Sequence, residues 1–227
     1  MTVGVLVPAA GLGLRLGPGA PKALRELAGE PLLAHAVRGL RRAPSVGPVV
    51  VAAPAGEVTT VRALLAEHDV VVVAGGAERQ DSVRAALGAL PAEADLVLVH
   101  DAARCLTPVA VVERVVAALR AGAEAVVPVV AVADTVKRVA GDTVTGTVDR
   151  SALRAVQTPQ GFRRDVLERA HAVAGPAATD DAALVEALGV VVRTVPGADE
   201  AFKVTRPLDL VLAEALVATG TGGGDRG

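Results

Sequence analysis

Six short valine-rich runs recur along this 227-residue chain, and their spacing restricts the fold more than any other feature. They are VGVLVPA (3–9), PVVVAA (48–53), VVVVA (70–74), DLVLVH (95–100), AEAVVPVV (123–130) and VVVRTV (190–195). Each is almost continuously apolar instead of alternating, so a sheet made from them has to be covered on both faces. The intervening segments carry the matching pattern. EVTTVRALLAEH sets Val58, Val61, Leu64 and Leu65 on one helical face, and RQDSVRAALGAL does the same with Val83, Ala86, Leu87 and Leu90. The alternation predicts an open α/β fold with a largely parallel sheet, and in such folds ligands lie at the carboxyl ends of the strands.

One segment breaks this rhythm. DTVKRVAGDTVTGTVDR (134–150) alternates β-branched and polar residues around Ala140-Gly141-Asp142, which predicts a β-hairpin with polar residues on both faces. Such a hairpin projects from the core and exposes strand edges. A second copy of the chain is the simplest cover, so we expect a homodimer exchanging arms; the alternative is a solvated surface hairpin. The expected organisation is one domain over 1–218, including an arm at about 134–158, followed by a glycine-rich disordered tail, TGTGGGDRG (219–227).

Composition narrows the function. Hydrophobic residues make up 52% of the chain, yet there are two Phe, no Tyr and no Trp, so the core must consist of many small aliphatic contacts. Phe162 and Phe202 are too few to form stacking platforms, and a formal net charge of -2 provides no basic footprint; nucleic acid is not an expected partner. No apolar stretch approaches the ~20 residues that span a bilayer, and the N-terminus lacks the basic start of a secretory signal. Neither membrane insertion nor export is expected. The single Cys105 cannot pair within the chain, which suits a reducing cytoplasm.

Behind the first apolar run lies VPAAGLGLRLGPGAPKAL (7–24). A dinucleotide fingerprint G-x-G-x-x-G/A starting at Gly11 and Gly13 needs a small residue at position 16, where this chain has Leu16. It also needs an acid closing the second strand, where Ala53 and Pro54 stand. A dinucleotide-dependent oxidoreductase therefore fails two tests, and no P-loop string is present. Glycines also let backbone N–H groups approach an anion closely. With Arg15 and Lys22 over the same loop, a triphosphate fits better, although both could be ordinary solvated cations.

Two further clusters point the same way. LVLVHDAAR delivers His100, Asp101 and Arg104 to the end of a strand, and Asp101 stands where Mg²⁺ accompanying a nucleoside triphosphate could be held; the plain alternative is a helix N-cap. AFKVTRPLDL brings Lys203 out of a loop ahead of a helix opening at Pro207. The other histidines, His35, His68 and His171, fall in helical patterns without ligand spacing and are expected to be surface or packing residues.

Taken in order, PAAGLGLRLGPGAPKAL, GGAERQDSV (75–83), VHDAAR (99–104), DTVKR (134–138), TVDR (147–150), QTPQGF (157–162), TDDAAL (179–184) and KVTRPLDL (203–210) resemble the 2-C-methyl-D-erythritol 4-phosphate cytidylyltransferase family along nearly the whole chain. The resemblance implies a Rossmann-like single domain of nucleotide-diphospho-sugar transferase type, dimeric through a β-arm. It also implies transfer of CMP from CTP to a polyol phosphate, with release of pyrophosphate, in the non-mevalonate route to isoprenoid precursors.

Carried over by motif, Arg15 and Lys22 stabilise the charge building on the triphosphate, with Gly11 and Gly13 as backbone donors. Arg150 and Lys203 clamp the acceptor phosphate, Arg150 from the partner's arm, and Thr135 on that arm adds a hydroxyl. Ala9, Ala10, Gly76 and the Ser82 hydroxyl read cytosine. Asp101 with Mg²⁺ or another divalent cation seats nucleotide and acceptor, Arg104 faces phosphates or hydroxyls, and Thr158 joins the substrate-binding set. The chain departs from the family at Cys105, where proline is common, and at Asp181, where glutamate is usual; neither Asp180 nor Asp181 is given a catalytic role. A ribitol 5-phosphate cytidylyltransferase would need the same two cationic clusters, and a nucleotide-sensing protein without turnover is a third class.

Overall fold

The computed structural model describes residues 1–11, 20–173 and 180–220. The chain opens with β1 (Thr2–Pro8), passes a small ribbon of β2 (Glu26–Leu27) and β3 (Glu30–Pro31), and enters α1 (Leu32–Arg41). A regular alternation follows: β4 (Val49–Ala53), α2 (Val58–Leu64), β5 (Val70–Ala74), α3 (Arg79–Ala89), β6 (Ala94–Val99), α4 (Val109–Arg120) and β7 (Ala125–Ala131). The hairpin is β8 (Val136–Ala140) and β9 (Thr143–Val148). The chain then returns through β10 (Arg154–Val156), β11 (Gln160–Arg163), α5 (Arg164–Ala172), α6 (Asp181–Glu186), β12 (Val192–Pro196) and α7 (Pro207–Ala218).

Each of the six valine-rich runs is a strand of the main sheet, ordered β5-β4-β1-β6-β11-β7, with β10 and β12 also on β7. β1, β4, β5 and β6 are parallel neighbours, and β12 is parallel to β7. β10 and β11 run against them, which the valine pattern did not announce. β11 carries little apolar signal beyond Phe162. It fits because Gly161 lies directly under α4, where a Cβ would come within 2.5 Å of Val115 and 2.8 Å of Leu119. On the opposite face Phe162 is completely buried.

The two faces of β1 show why continuous apolar strands were needed. Val3, Val5 and Val7 join Leu33, Val37, Val61 and Val112 beneath α1, α2 and α4. Leu6 faces the other layer with Val83, Leu87, Val166 and Val185 of α3, α5 and α6. Full burial of a Val or Leu side chain contributes about 1.5–3 kcal/mol, so the two aliphatic layers do the work that aromatic anchors do elsewhere. The helix faces read from sequence hold: Val61 and Leu65 of the first are buried, as are Val83, Ala86, Leu87 and Leu90 of the second.

The hairpin forms a separate two-stranded sheet, turning at Gly141 with φ +60°. Residues 137–145 are all exposed, and Val139 faces Val144 across the strands. The last helix begins at Pro207 as expected and closes a third apolar cluster with Leu27, Leu32, Cys105 and Leu106. The tail from residue 221 lies outside the described residues, and residues 219 and 220 only finish α7.

Candidate active site

β1, β5 and β6 all end on one side of the sheet, and the loops that leave them enclose a cleft of about 250 Å³. Ala9 continues β1 by one hydrogen bond, its N–H donating to Ala52 O at 2.8 Å, and then Ala10 and Gly11 line the cleft. After β5, Gly75 N–H donates to Ala53 O at 2.7 Å, which turns Gly76 toward α3. Gly76 N–H donates to Ser82 Oγ at 3.2 Å, and that hydroxyl donates to Glu78 O at 3.2 Å. Backbone groups and one hydroxyl thus form a polar wall without any aromatic ring. Lys22 enters from a short 3₁₀ turn, Lys22–Leu24, on the opposite side.

Asp101 follows β6 at the floor of the cleft. Its backbone N–H donates to Thr158 Oγ1 at 3.1 Å, and that hydroxyl lies 3.3 Å from His100 Nδ1. Lys203 Nζ is 2.7 Å from Asp101 Oδ2, and Arg79 Nε is 3.4 Å from Oδ1. Burial alone would raise the Asp101 pKa, but Arg79, Lys203 and Arg104 outweigh it and hold the carboxyl well below the usual range. Lys203 is fixed from both sides: Val204 N–H donates to Ala103 O at 2.8 Å, and Thr205 and Arg206 N–H groups both donate to Asp209 Oδ2 at 2.8 Å.

Beyond Asp101 lies a second cleft of about 190 Å³, lined by Arg104, Gln157, Thr158 and Asp180. Asp101, Arg79 and Lys203 line both clefts and form the wall between them. Arg104 has committed two of its donors, Nη1 to Ala201 O at 2.8 Å and Nη2 to Val156 O at 3.0 Å. It therefore ties the Lys203 loop to the base of the arm, and its burial lowers its pKa against the opposing pull of Asp101.

The structure brings Ala9, Ala10, Gly11, Lys22, Gly76, Ser82, Asp101 and Lys203 around one cleft, with Thr158 and Arg104 behind Asp101. Gly13 and Arg15 lie outside the described residues. Thr135 and Arg150 sit at the base of the arm and line neither cleft of their own chain. Sequence reasoning missed Arg79 and the group behind it: Arg79 Nη1 donates to Asp181 Oδ2 at 2.6 Å, and His171 Nε2 lies 2.9 Å from Asp181 Oδ1. One local signal was available. Arg79 opens α3, where a cation opposes the helix dipole, a field that suits the neighbouring Glu78 and Asp81. His171, expected to be a surface or packing residue, is buried and tied to Asp181.

Known proteins resemble the chain in sequence and in fold. The family model described as 2-C-methyl-D-erythritol 4-phosphate cytidylyltransferase matches residues 3–219. Proteins of that name from Frankia casuarinae and Saccharopolyspora erythraea are 61% and 59% identical over 217 and 225 residues. The matches cover 95% and 96% of this chain, and 81% and 100% of the relatives. A crystal structure of 2-C-methyl-D-erythritol 4-phosphate cytidylyltransferase from Thermus thermophilus is 42% identical and superposes with a TM-score of 0.80, covering 96% of this chain and all of that one. With the colinear motifs, the cleft at the strand ends and these matches in agreement, the chain belongs to the 2-C-methyl-D-erythritol 4-phosphate cytidylyltransferase family.

Proposed function

We propose that this chain carries out its family's reaction, transfer of CMP from CTP to 2-C-methyl-D-erythritol 4-phosphate with release of pyrophosphate, across the wall that separates its two clefts. The observation that carries the reading is that Asp101, Arg79 and Lys203 face both clefts. A triphosphate in the larger cleft and a phosphorylated polyol in the smaller one would meet at the same charged groups. An acceptor phosphate oxygen attacks the α-phosphorus, the new P–O bond forms as the bond to the β-phosphate breaks, and pyrophosphate leaves toward the glycine loop. The attacking phosphate is already anionic, so no general base is required, and the protein's contribution is positioning and electrostatics.

Lys22 and Arg15 neutralise the charge that builds on the leaving group. Lys203, fixed by Ala103 and Asp209, turns to the acceptor phosphate. Cytosine is read by backbone groups at Ala9, Ala10 and Gly76 and by Ser82, which line the same cleft; a site that satisfies the exocyclic amine leaves buried groups unpaired against uracil. Among the described residues no group of three His, Cys, Asp or Glu could hold a metal by itself. Mg²⁺ commonly uses one or two carboxylates plus phosphate oxygens, so Asp101 fits an ion that arrives with the triphosphate. Bound there, the ion supplies charge neutralisation on the phosphate oxygens.

The polyol hydroxyls find Gln157, Thr158 and Asp180 in the smaller cleft. The homodimer is supported by the arm: an isolated two-stranded hairpin is marginal in water, and the Val139–Val144 pair is left exposed. Arg150 and Thr135, remote from their own clefts, would then complete the partner's acceptor site. Among the described residues no helix is long and apolar enough to cross a membrane; separately, the phosphorylated substrates favour a cytoplasmic enzyme.

Pyrophosphate release is the test. CTP with methylerythritol phosphate is expected to turn over, while UTP and ribitol 5-phosphate are poor replacements. Turnover with ribitol 5-phosphate alone would overturn the acceptor and leave the chemistry standing.

A further inference from the structure

We propose that Arg79 is a third cation for the reacting phosphates and that buried Asp181, backed by His171, is the residue that aims it; this rests on the reaction proposed above. Three observations converge on it. Arg79 lines both clefts, so its guanidinium stands where the two substrates meet. Although Glu78 and Asp81 flank it at the start of α3, Arg79 forms its ion pairs with Asp101 and Asp181, which come from distant parts of the chain. Asp181 is fully buried with both oxygens engaged, one by Arg79 and the other by His171.

The distances decide the roles. Arg79 is 2.6 Å from Asp181 and 3.4 Å from Asp101, whose close partner is Lys203 at 2.7 Å. Arg79 is therefore anchored on Asp181, and its contact with Asp101 is the looser one. A phosphate competing for the Nε edge can displace Asp101 while Nη1 stays in place. A planar fork holds an anchor on one edge and an anion on another in fixed geometry, which the rotatable donors of an ammonium do not enforce. A carboxylate only accepts hydrogen bonds, so the His171 ring must donate through Nε2, which fixes the ring's orientation against Asp181. Removing one partner from such a buried charged group leaves the remainder uncompensated, so the Arg79–Asp181 contact is costly to break. In this arrangement Asp181 and His171 are positioning residues and touch neither substrate.

The experiment combines Arg79→Ala with chemical rescue in the full-length enzyme. With CTP and methylerythritol phosphate, Arg79→Ala is expected to lose about 10²-fold in kcat, the scale for removing one charge-stabilising donor. Millimolar guanidinium should restore part of that loss, whereas sodium or ammonium at equal ionic strength should not. In the Arg79→Ala/Asp181→Asn double variant the guanidinium should no longer rescue, because its anchor is gone. Should Arg79→Ala fail to fold, Arg79→Lys carries the test: it keeps the charge without the fork and should lose roughly tenfold or more in kcat, with circular dichroism checking that the variant is folded. An Arg79→Ala enzyme close to wild-type kcat, a loss that guanidinium does not relieve, rescue that persists without Asp181, or Arg79→Lys at wild-type kcat would each overturn the inference. If the wild-type chain itself releases no pyrophosphate from this substrate pair, the reaction assignment fails instead.

Discussion

Replacing Gly76 by alanine places one methyl group in the cleft wall proposed to read cytosine, and the structure sets the size of the effect. The new Cβ would lie 2.2 Å from Asp81 Cβ, 3.2 Å from its Cγ and 3.3 Å from Oδ2. Carbon atoms settle at about 3.5–4.0 Å, so the loop or the first turn of α3 must retreat by more than about 1 Å. Asp81 cannot rotate its Cβ away, because that atom is fixed to the helix backbone. The displacement therefore falls on two 3.2 Å hydrogen bonds, Gly76 N–H to Ser82 Oγ and Glu78 N–H to Asp81 Oδ2. Overpacking of this kind costs about 1–3 kcal/mol, which urea unfolding should register. If these groups face the base as proposed, CTP binding measured by calorimetry should weaken by at least about tenfold, roughly 1.4 kcal/mol. Gly88→Ala is the matched control on the same helix. No atom lies within 4 Å of its Cβ position, so it should stabilise by about 0.5–1 kcal/mol and leave CTP binding unchanged. A Gly76→Ala enzyme with wild-type stability and CTP affinity would refute the steric argument and the placement of the base.

Acid stability, thiol reactivity and subunit mixing check other parts of the structure. Burial, only partly opposed by Asp101, lowers the His100 pKa from 6.5 to about 4, so the folded protein keeps the ring neutral. As pH falls the unfolded chain takes up this proton first; the contribution is complete above about pH 6.5 and is lost between there and about pH 4, at up to about 1.4 kcal/mol per pH unit. Urea midpoints of wild type and His100→Gln should diverge across that window, and parallel curves would count against it. Burial pushes the Cys105 thiol up to about 12, so a disulfide reagent at pH 8 should react only after unfolding; prompt reaction of the native protein would contradict the buried position. If sites are shared through the arm, mixing inactive Arg150→Ala and Lys22→Ala subunits should regain activity through hybrid dimers. A mixture that stays inactive after subunit exchange would refute the shared site.

Much of the architecture was legible before any coordinates. The six valine-rich runs, the two helical faces, the turn at Gly141 and the helix starting at Pro207 are local patterns, and each element formed where its pattern stood. The loops after β1 and β6 could be expected at the ligand because open α/β sheets bind at strand carboxyl ends. β11 escaped notice since its place depends on Gly161 having no side chain beneath α4, a requirement that appears only when helix and sheet meet. The Arg79–Asp181 pair escaped because 102 residues separate its members, and no spacing rule links them. His171, read as a surface or packing residue, is buried, and its pairing with Asp181 appeared only when α5 and α6 came together.

The division has a physical cause. Partition between water and an apolar interior writes continuous apolar runs into strands covered on both faces and a 3.6-residue period into helices, so these elements are legible locally. The order β5-β4-β1-β6-β11-β7 is not local, and that order carries Asp101, Arg79 and Lys203 from three distant segments to one wall between two clefts. Sequence by itself determined the layered α/β fold and the chemistry its motifs resemble. Only tertiary structure decided which charges meet, because strong charge pairing requires contact distances and exclusion of water, and both arise only after the sheet is assembled.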